Sequence, residues 1–173
     1  MTTLIAFSGS LRKDSFNTKV LRALPALATD GINIALFDIS ELPLYNQDLD
    51  GDTVPDIVAA LRAAVSEADG VVIATPEYNH SYSAATKNLI DWASRPFMKG
   101  PIIGKKSMVI GVTPGPGGAV HGAQATVDLL TMLGGTVVGQ VTAATIHEKI
   151  DGETLQITDS DLARQLREGL AAF

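Results

Sequence analysis

Five short apolar runs, Leu4 to Phe7, Ile32 to Phe37, Gly70 to Ala74, Ser107 to Val112 and Thr136 to Val141, recur along the chain with helical spacing between them. They are rich in β-branched residues and lack a polar face, the pattern of strands covered on both sides in a parallel sheet. The intervening segments read as helices over Asn17 to Leu27, Asp56 to Ala68, Ala84 to Ala93, Ala123 to Leu133 and Asp159 to Leu170. The last opens at "TDSD", where Thr158 or Asp159 can cap it and the acids suit the positive end of its dipole. Five strands alternating with five helices predict a doubly wound α/β fold. A length of 173 residues with 46% hydrophobic content fits one domain over residues 1-173, with no repeat, low-complexity tract or linker to divide it.

Charge and residue usage narrow the function classes. Thirteen Lys plus Arg stand against 19 Asp plus Glu, a formal net charge of -6, and no basic tract occurs. Neither nucleic acid nor an anionic membrane surface is therefore an expected partner. The absence of cysteine excludes disulfides, thiolate metal sites, iron–sulfur clusters and cysteine nucleophiles, so redox chemistry would have to arrive with a cofactor. The first residues lack the cationic start and apolar stretch of a signal peptide, and no apolar run reaches membrane-spanning length. A cytoplasmic protein is expected.

In doubly wound folds ligands sit beyond the carboxyl ends of the strands, where the strand order reverses. The loops to read are thus "SGSLRKDSFN", "TPEYNHSYS" and "TPGPGGAVHGA", after the first, third and fourth strands. The first carries the hydroxyls of Ser8, Ser10 and Ser15, a close-turning Gly9, the cations Arg12 and Lys13, and Asn17 at a helix start. Hydroxyls and a guanidinium beside the amides of a helix N-terminus form a site for a phosphate dianion. An ordinary polar turn with a serine cap accounts for the same residues equally well. No Gly-x-Gly-x-x-Gly follows a strand. "GPIIGKKS", residues 100 to 107, has its glycines one residue too close for a P-loop and precedes a strand, so it reads as a loop with a solvated cationic tip. The carboxylates of a response regulator are missing, since Ser8, Gly9, Ser10, Thr75 and Pro76 stand in their places.

In the second loop an aromatic beside amide-bearing residues can pack on a flat heterocycle and hydrogen-bond its edge. Glu77 and His80 are its candidates for a metal or acid/base role, but two such residues without a third ligand do not make a metal site, and none is assigned. Ile90 and Trp92 fit helix packing, while Asp91 and Arg95, four apart, read as a helix ion pair. The third loop, with Thr113, Gly115, Gly117 and Gly118 free of bulk, suits either a connection that needs positive φ or a close backbone approach to the same planar ligand.

Taken in order, "GSLRKDSFN", "PEYNHSYSAATKNLIDWASRP" and "TPGPGGA", with "LPLYNQDLD" after the second strand, resemble the NADPH-dependent FMN reductase family, from about residue 3 to residue 142. The resemblance implies a flavodoxin-like three-layer fold, its five-stranded parallel sheet in the order 2-1-3-4-5 with helices on both faces. It implies FMN as cofactor, with NADPH or NADH as transient co-substrate. By the same carry-over Ser10, Arg12, Ser15, Phe16 and Asn17 hold the FMN phosphate, through hydroxyls, guanidinium and backbone amides. Pro76, Glu77, Tyr78, Asn79 and Ser81 line the ring and ribityl chain, with Thr113 and Gly115 on the other side. A homodimer or homotetramer is expected, with the helix of "KNLIDWASRP" at its interface. "HSYSAATKN" stands where the family usually has Ile or Tyr, Pro and Gly before Lys-Asn, and "GPGGAVHGAQ" lacks an Arg often found before Ala-Gln.

The activity so implied is an NAD(P)H-dependent oxidoreduction of the ping-pong type. Hydride passes from NADPH to flavin N5, and the electrons then go to a small-molecule acceptor: a quinone, a flavin, an azo dye or a metal oxyanion such as chromate. The flavin carries the chemistry, so no catalytic side chain is assigned. An electron carrier of the flavodoxin type or a flavin-binding regulatory protein is the alternative, although such carriers are more acidic and cage the flavin with aromatics, which here make up 5%. A serine hydrolase lacks its Gly-x-Ser-x-Gly elbow.

Overall fold

The computed structural model describes residues 1–173. In chain order the elements are β1 (Thr2–Ser8), α1 (Phe16–Leu27), β2 (Ile32–Phe37), α2 (Asp56–Glu67), β3 (Gly70–Thr75), β4 (Glu77–Tyr78), β5 (Ser81–Tyr82), α3 (Ala84–Ala93), β6 (Lys106–Val112), α4 (Val120–Met132), β7 (Thr136–Ala143) and α5 (Ser160–Ala171). The five long strands form one sheet in the order β2-β1-β3-β6-β7 with every neighbour parallel, which is the expected 2-1-3-4-5 order once the hairpin strands β4 and β5 are set aside. The order reverses at β1 and β3, so the loops that follow them open side by side.

Alternation along each central strand divides the core. Leu4, Ala6, Val72, Ala74, Met108 and Ile110 face α1 and α5, whereas Ile5, Phe7, Val71, Ile73 and Val109 face α2, α3 and α4. Burial on both sides holds for β1, β3 and β6. It fails for β2 and β7, whose residues are largely half-exposed or exposed, because these strands end the sheet and have a neighbour on one side only. Asp159 caps α5, its carboxylate accepting from the Leu162 N–H at 2.8 Å.

Trp92 and Ile90 are buried as expected. The Trp92 Nε1–H and the Asn88 side-chain amide donate to the Pro43 carbonyl at 2.8 and 2.9 Å, and Asn88 Oδ1 accepts from the Tyr45 N–H at 2.8 Å. The segment "LPLYNQDLD" is thereby bolted to α3. The expected Asp91–Arg95 pair does not form. Asp91 takes both short contacts from Lys87, at 2.6 and 2.8 Å one turn earlier, and the Arg95 guanidinium lies over the Tyr45 and Phe97 rings instead. Nor is the 100 to 107 loop simply a solvated cationic tip. Lys105 donates to the Ser66 carbonyl at 3.2 Å at the end of α2, and Lys106 donates to the Phe173 carbonyl at 3.0 Å, where cations meet the negative ends of helices.

Candidate functional site

The loop after β1 is folded by its own hydroxyls. Ser8 Oγ lies 2.8 Å from Thr18 Oγ1 and accepts from the Ser10 N–H at 3.3 Å. Gly9 is pressed against α3: its carbonyl accepts from Ser83 Oγ at 2.6 Å, and its N–H donates to the Ala74 carbonyl at 2.7 Å. A Cβ at this position would fall 1.9 Å from Thr86 Oγ1, so close packing dictates the glycine. Ser15 caps α1 by accepting from the Thr18 N–H at 3.3 Å. The first two N–H groups of that helix, those of Phe16 and Asn17, find no acceptor in the chain, as the opening turn of a helix must leave them. The Ser10 hydroxyl and the Arg12 guanidinium are likewise without partners in the chain. Donors without partners and positive charge therefore collect at one point.

Asn17 behaves otherwise. Its buried side chain donates to the Val112 carbonyl at 3.3 Å and accepts from the Val112 N–H at 3.4 Å, tying the start of α1 to the end of β6. Its backbone amide is left without a partner in the chain.

The second loop, read as irregular from sequence, is a hairpin in which Glu77 faces Tyr82 and Tyr78 faces Ser81. Asn79 and His80 form its turn with φ of 53° and 59°. Asn and His enter that left-handed region more readily than most residues, which lets this sequence turn tightly without glycine. Glu77 is the joint between this hairpin and α4. One carboxylate oxygen, Oε2, accepts from the N–H groups of His121 and Gly122 at 2.8 and 3.1 Å, capping a helix whose own cap position, Ala119, has no side chain able to do so. The other, Oε1, lies 3.2 Å from His121 Nδ1 and 3.7 Å from His80 Nδ1, and the two Nδ1 atoms are 3.2 Å apart. Burial pushes the Glu77 carboxyl up, but hydrogen bonds from the Gly122 N–H and from the side chain and N–H of His121 outweigh it and hold the group below its ordinary 4.5. In the third loop the positive φ falls at Gly118 and Ala119 rather than at Gly115, and Thr113 Oγ1 accepts from the Gly115 N–H at 3.2 Å.

Of the twelve residues expected at the site, Ser10, Arg12, Ser15, Phe16, Asn17, Pro76, Glu77, Tyr78 and Thr113 line one groove of about 180 Å³, completed by Val112 and Pro114. Asn79, Ser81 and Gly115 lie outside it, Asn79 in the hairpin turn and Ser81 on the strand that follows. His121 escaped the sequence reading altogether. It stands 44 residues from Glu77, at a spacing no local motif reveals, and the only hint was a histidine at a helix start.

A family model described as NADPH-dependent FMN reductase matches residues 2–149. The chain is 44% identical over 107 residues to a 2-hydroxy-1,4-benzoquinone reductase from Burkholderia sp, a match that covers 62% of this chain and 58% of that protein. The quinone reductase of Escherichia coli (strain K12) is 36% identical over 178 residues, covering 98% of this chain and 92% of that one. Among solved structures, the flavoenzyme NAD(P)H:(acceptor) oxidoreductase FerB from Paracoccus denitrificans superposes with a TM-score of 0.84 at 34% identity, over 99% of this chain and 94% of that chain.

Proposed function

Because the chain belongs to the NADPH-dependent FMN reductase family, we propose that it is an FMN-dependent oxidoreductase that draws electrons from NAD(P)H and delivers them to a quinone or a similar small acceptor. The observation that carries this reading is the donor-rich end of the groove at the start of α1: the Ser10 hydroxyl, the Arg12 guanidinium and the unpartnered N–H groups of Phe16 and Asn17. That set suits the phosphate dianion of FMN. The groove is smaller than the roughly 300–1,000 Å³ of a whole ligand site, so it has room for one end of FMN, with the remainder over its rim.

When bound, FMN supplies a ring that accepts hydride at N5 and passes electrons on. The chain's own residues bind and orient it. Ser10, Arg12, Ser15, Phe16 and Asn17 hold the phosphate; Pro76, Glu77, Tyr78, Asn79, Ser81, Thr113 and Gly115 line the ring and ribityl chain. Tyr78, half exposed beside the groove, is placed to shield part of that space from water. The Glu77 cap ties the second loop to the third and would hold both in place beside the ring and ribityl chain. No side chain in the groove has the setting of a nucleophile, consistent with chemistry carried by the cofactor.

The reading includes alternating entry of NAD(P)H and acceptor in a ping-pong cycle; quinones, flavins, azo dyes and chromate are the acceptors to try. A second copy of the chain would cover the groove of about 560 Å³ between α3 and α4, where Phe97 and Met98 are 76% and 67% exposed. A homodimer at least is the expected assembly, measurable by light scattering, and the cytoplasm, where NAD(P)H is made, its expected compartment.

The test is an anaerobic stopped-flow mix of the FMN-loaded protein with NADPH. Bleaching of the flavin in one two-electron phase, followed by reoxidation with a quinone, supports the reductase. Stoichiometric FMN that NADPH fails to bleach would overturn it in favour of an electron carrier or regulator.

A further inference from the structure

Glu77 and His80 lacked a third ligand in the sequence; the fold supplies it. His121, the second residue of α4, brings its Nδ1 to 3.2 Å from both Glu77 Oε1 and His80 Nδ1, and the remaining pair is 3.7 Å apart. Ligand atoms about 2.0–2.1 Å from a tetrahedral zinc are about 3.3 Å from one another. A triangle with the observed sides has a circumradius of about 2.0 Å, so an ion at that bond length sits about 0.6 Å off its plane, against about 0.7 Å in an ideal tetrahedron. We propose that Glu77 Oε1, His80 Nδ1 and His121 Nδ1 form a site for a borderline divalent transition-metal ion, with Zn²⁺ as the representative and the fourth position open to water.

Three further features support this. A shared proton can satisfy one pair of these atoms at a time, whereas three lone-pair-bearing atoms facing one point are satisfied together by a cation. The Glu77 carboxylate is already oriented, because the N–H groups of His121 and Gly122 hold Oε2 and leave Oε1 for the ion, as supporting hydrogen bonds do for ligating carboxylates elsewhere. The His80 and His121 side chains are 79% and 61% exposed, so an ion has an entry path and the open position faces solvent. Two imidazoles and one carboxylate select Zn²⁺, Ni²⁺, Cu²⁺ or Fe²⁺ over Mg²⁺ and Ca²⁺, which favour oxygen ligands. A bound ion would staple the hairpin β4–β5 to the start of α4 at the rim of the groove. The proposal does not depend on the reductase reading.

The test titrates Zn²⁺ into the protein as purified, by calorimetry and in competition with a chromophoric chelator, for native protein, H80N, H121Q and the double variant. Asn tolerates the left-handed turn at position 80, and Gln suits a helix, so both variants should fold; circular dichroism checks this. One equivalent of Zn²⁺ is expected to bind the native protein, at least tenfold more weakly in each single variant, and to lose saturable binding in the double variant, where His147 remains as a control for adventitious binding. Co²⁺ in place of Zn²⁺ should show the visible absorption of a low-coordinate site in the native protein alone. Absence of saturable binding, or an affinity unchanged by either substitution, would overturn the site.

Discussion

Replacing Gly9 by Ala is expected to destabilise the protein by roughly 2–4 kcal/mol, the sum of an overpacked core and disturbed buried hydrogen bonds. The new Cβ would lie 1.9 Å from Thr86 Oγ1, 3.0 Å from Ser83 Oγ and 3.3 Å from the Ala74 carbonyl oxygen. Thr86 is fully buried in the first turn of α3, and two of the three positions around its Cβ carry heavy atoms, so only a rotamer that points hydrogen at residue 9 relieves the clash. That rotation breaks the contacts of Thr86 Oγ1 with Thr75 Oγ1 and Ser83 Oγ, both 3.0 Å, each worth about 0.5–1.5 kcal/mol net. Moving the loop instead stretches the Ser83 to Gly9 bond of 2.6 Å. In urea, a slope of about 2 kcal/mol/M would lower the midpoint by about 1–2 M with the slope unchanged, and the melting temperature would fall by about 4–16 °C. Thr86→Ala removes the obstructing atom, so the double variant should recover at least about 1 kcal/mol relative to additivity. If Gly9→Ala costs the same with and without the Thr86 side chain, close approach to α3 is not what requires glycine here.

Other outcomes follow from the same contacts. Arg12→Ala should weaken FMN binding about tenfold or more and leave riboflavin binding nearly unchanged, measured by flavin fluorescence; equal losses for the two would mean that Arg12 does not meet the phosphate. Asp159→Ala removes the cap of α5 and should cost about 1 kcal/mol, about 2–4 °C in melting temperature by calorimetry. Asp151 accepts from the Thr154 N–H at 2.7 Å and the Glu153 N–H at 3.0 Å, with the Thr154 bond foremost in holding its carboxyl below 3.8. A depressed folded pKa means its contribution is present above 3.8 and is lost as pH falls through the folded value; an NMR titration that places Asp151 at or above 3.8 would contradict this.

The strand–helix alternation was legible because apolar periodicity is local: each run declares its own burial, and five runs of one kind admit few arrangements. The same holds for the donor-rich turn, since Ser10, Arg12 and Ser15 and the helix they precede lie within a few residues of one another. A resemblance in the loops carried the strand order, which periodicity alone does not contain. What the sequence could not disclose depends on contacts between distant residues. Runs that looked alike became central or edge strands according to their neighbours, so β2 and β7 are half-exposed where the pattern suggested full cover. Asn17 spends its side chain on Val112, 95 residues away, and Arg95 leaves Asp91 for two aromatic rings brought up by other segments. Glu77 has its partners at 121 and 122 because β3 and β6 are paired neighbours in the sheet, which sets the loops after them side by side. Local chemistry thus determined the elements and the donor-rich turn, while the tertiary structure alone decided which side chains face one another, because hydrogen bonds and ion pairs depend on distances of a few ångströms that chain separation does not encode.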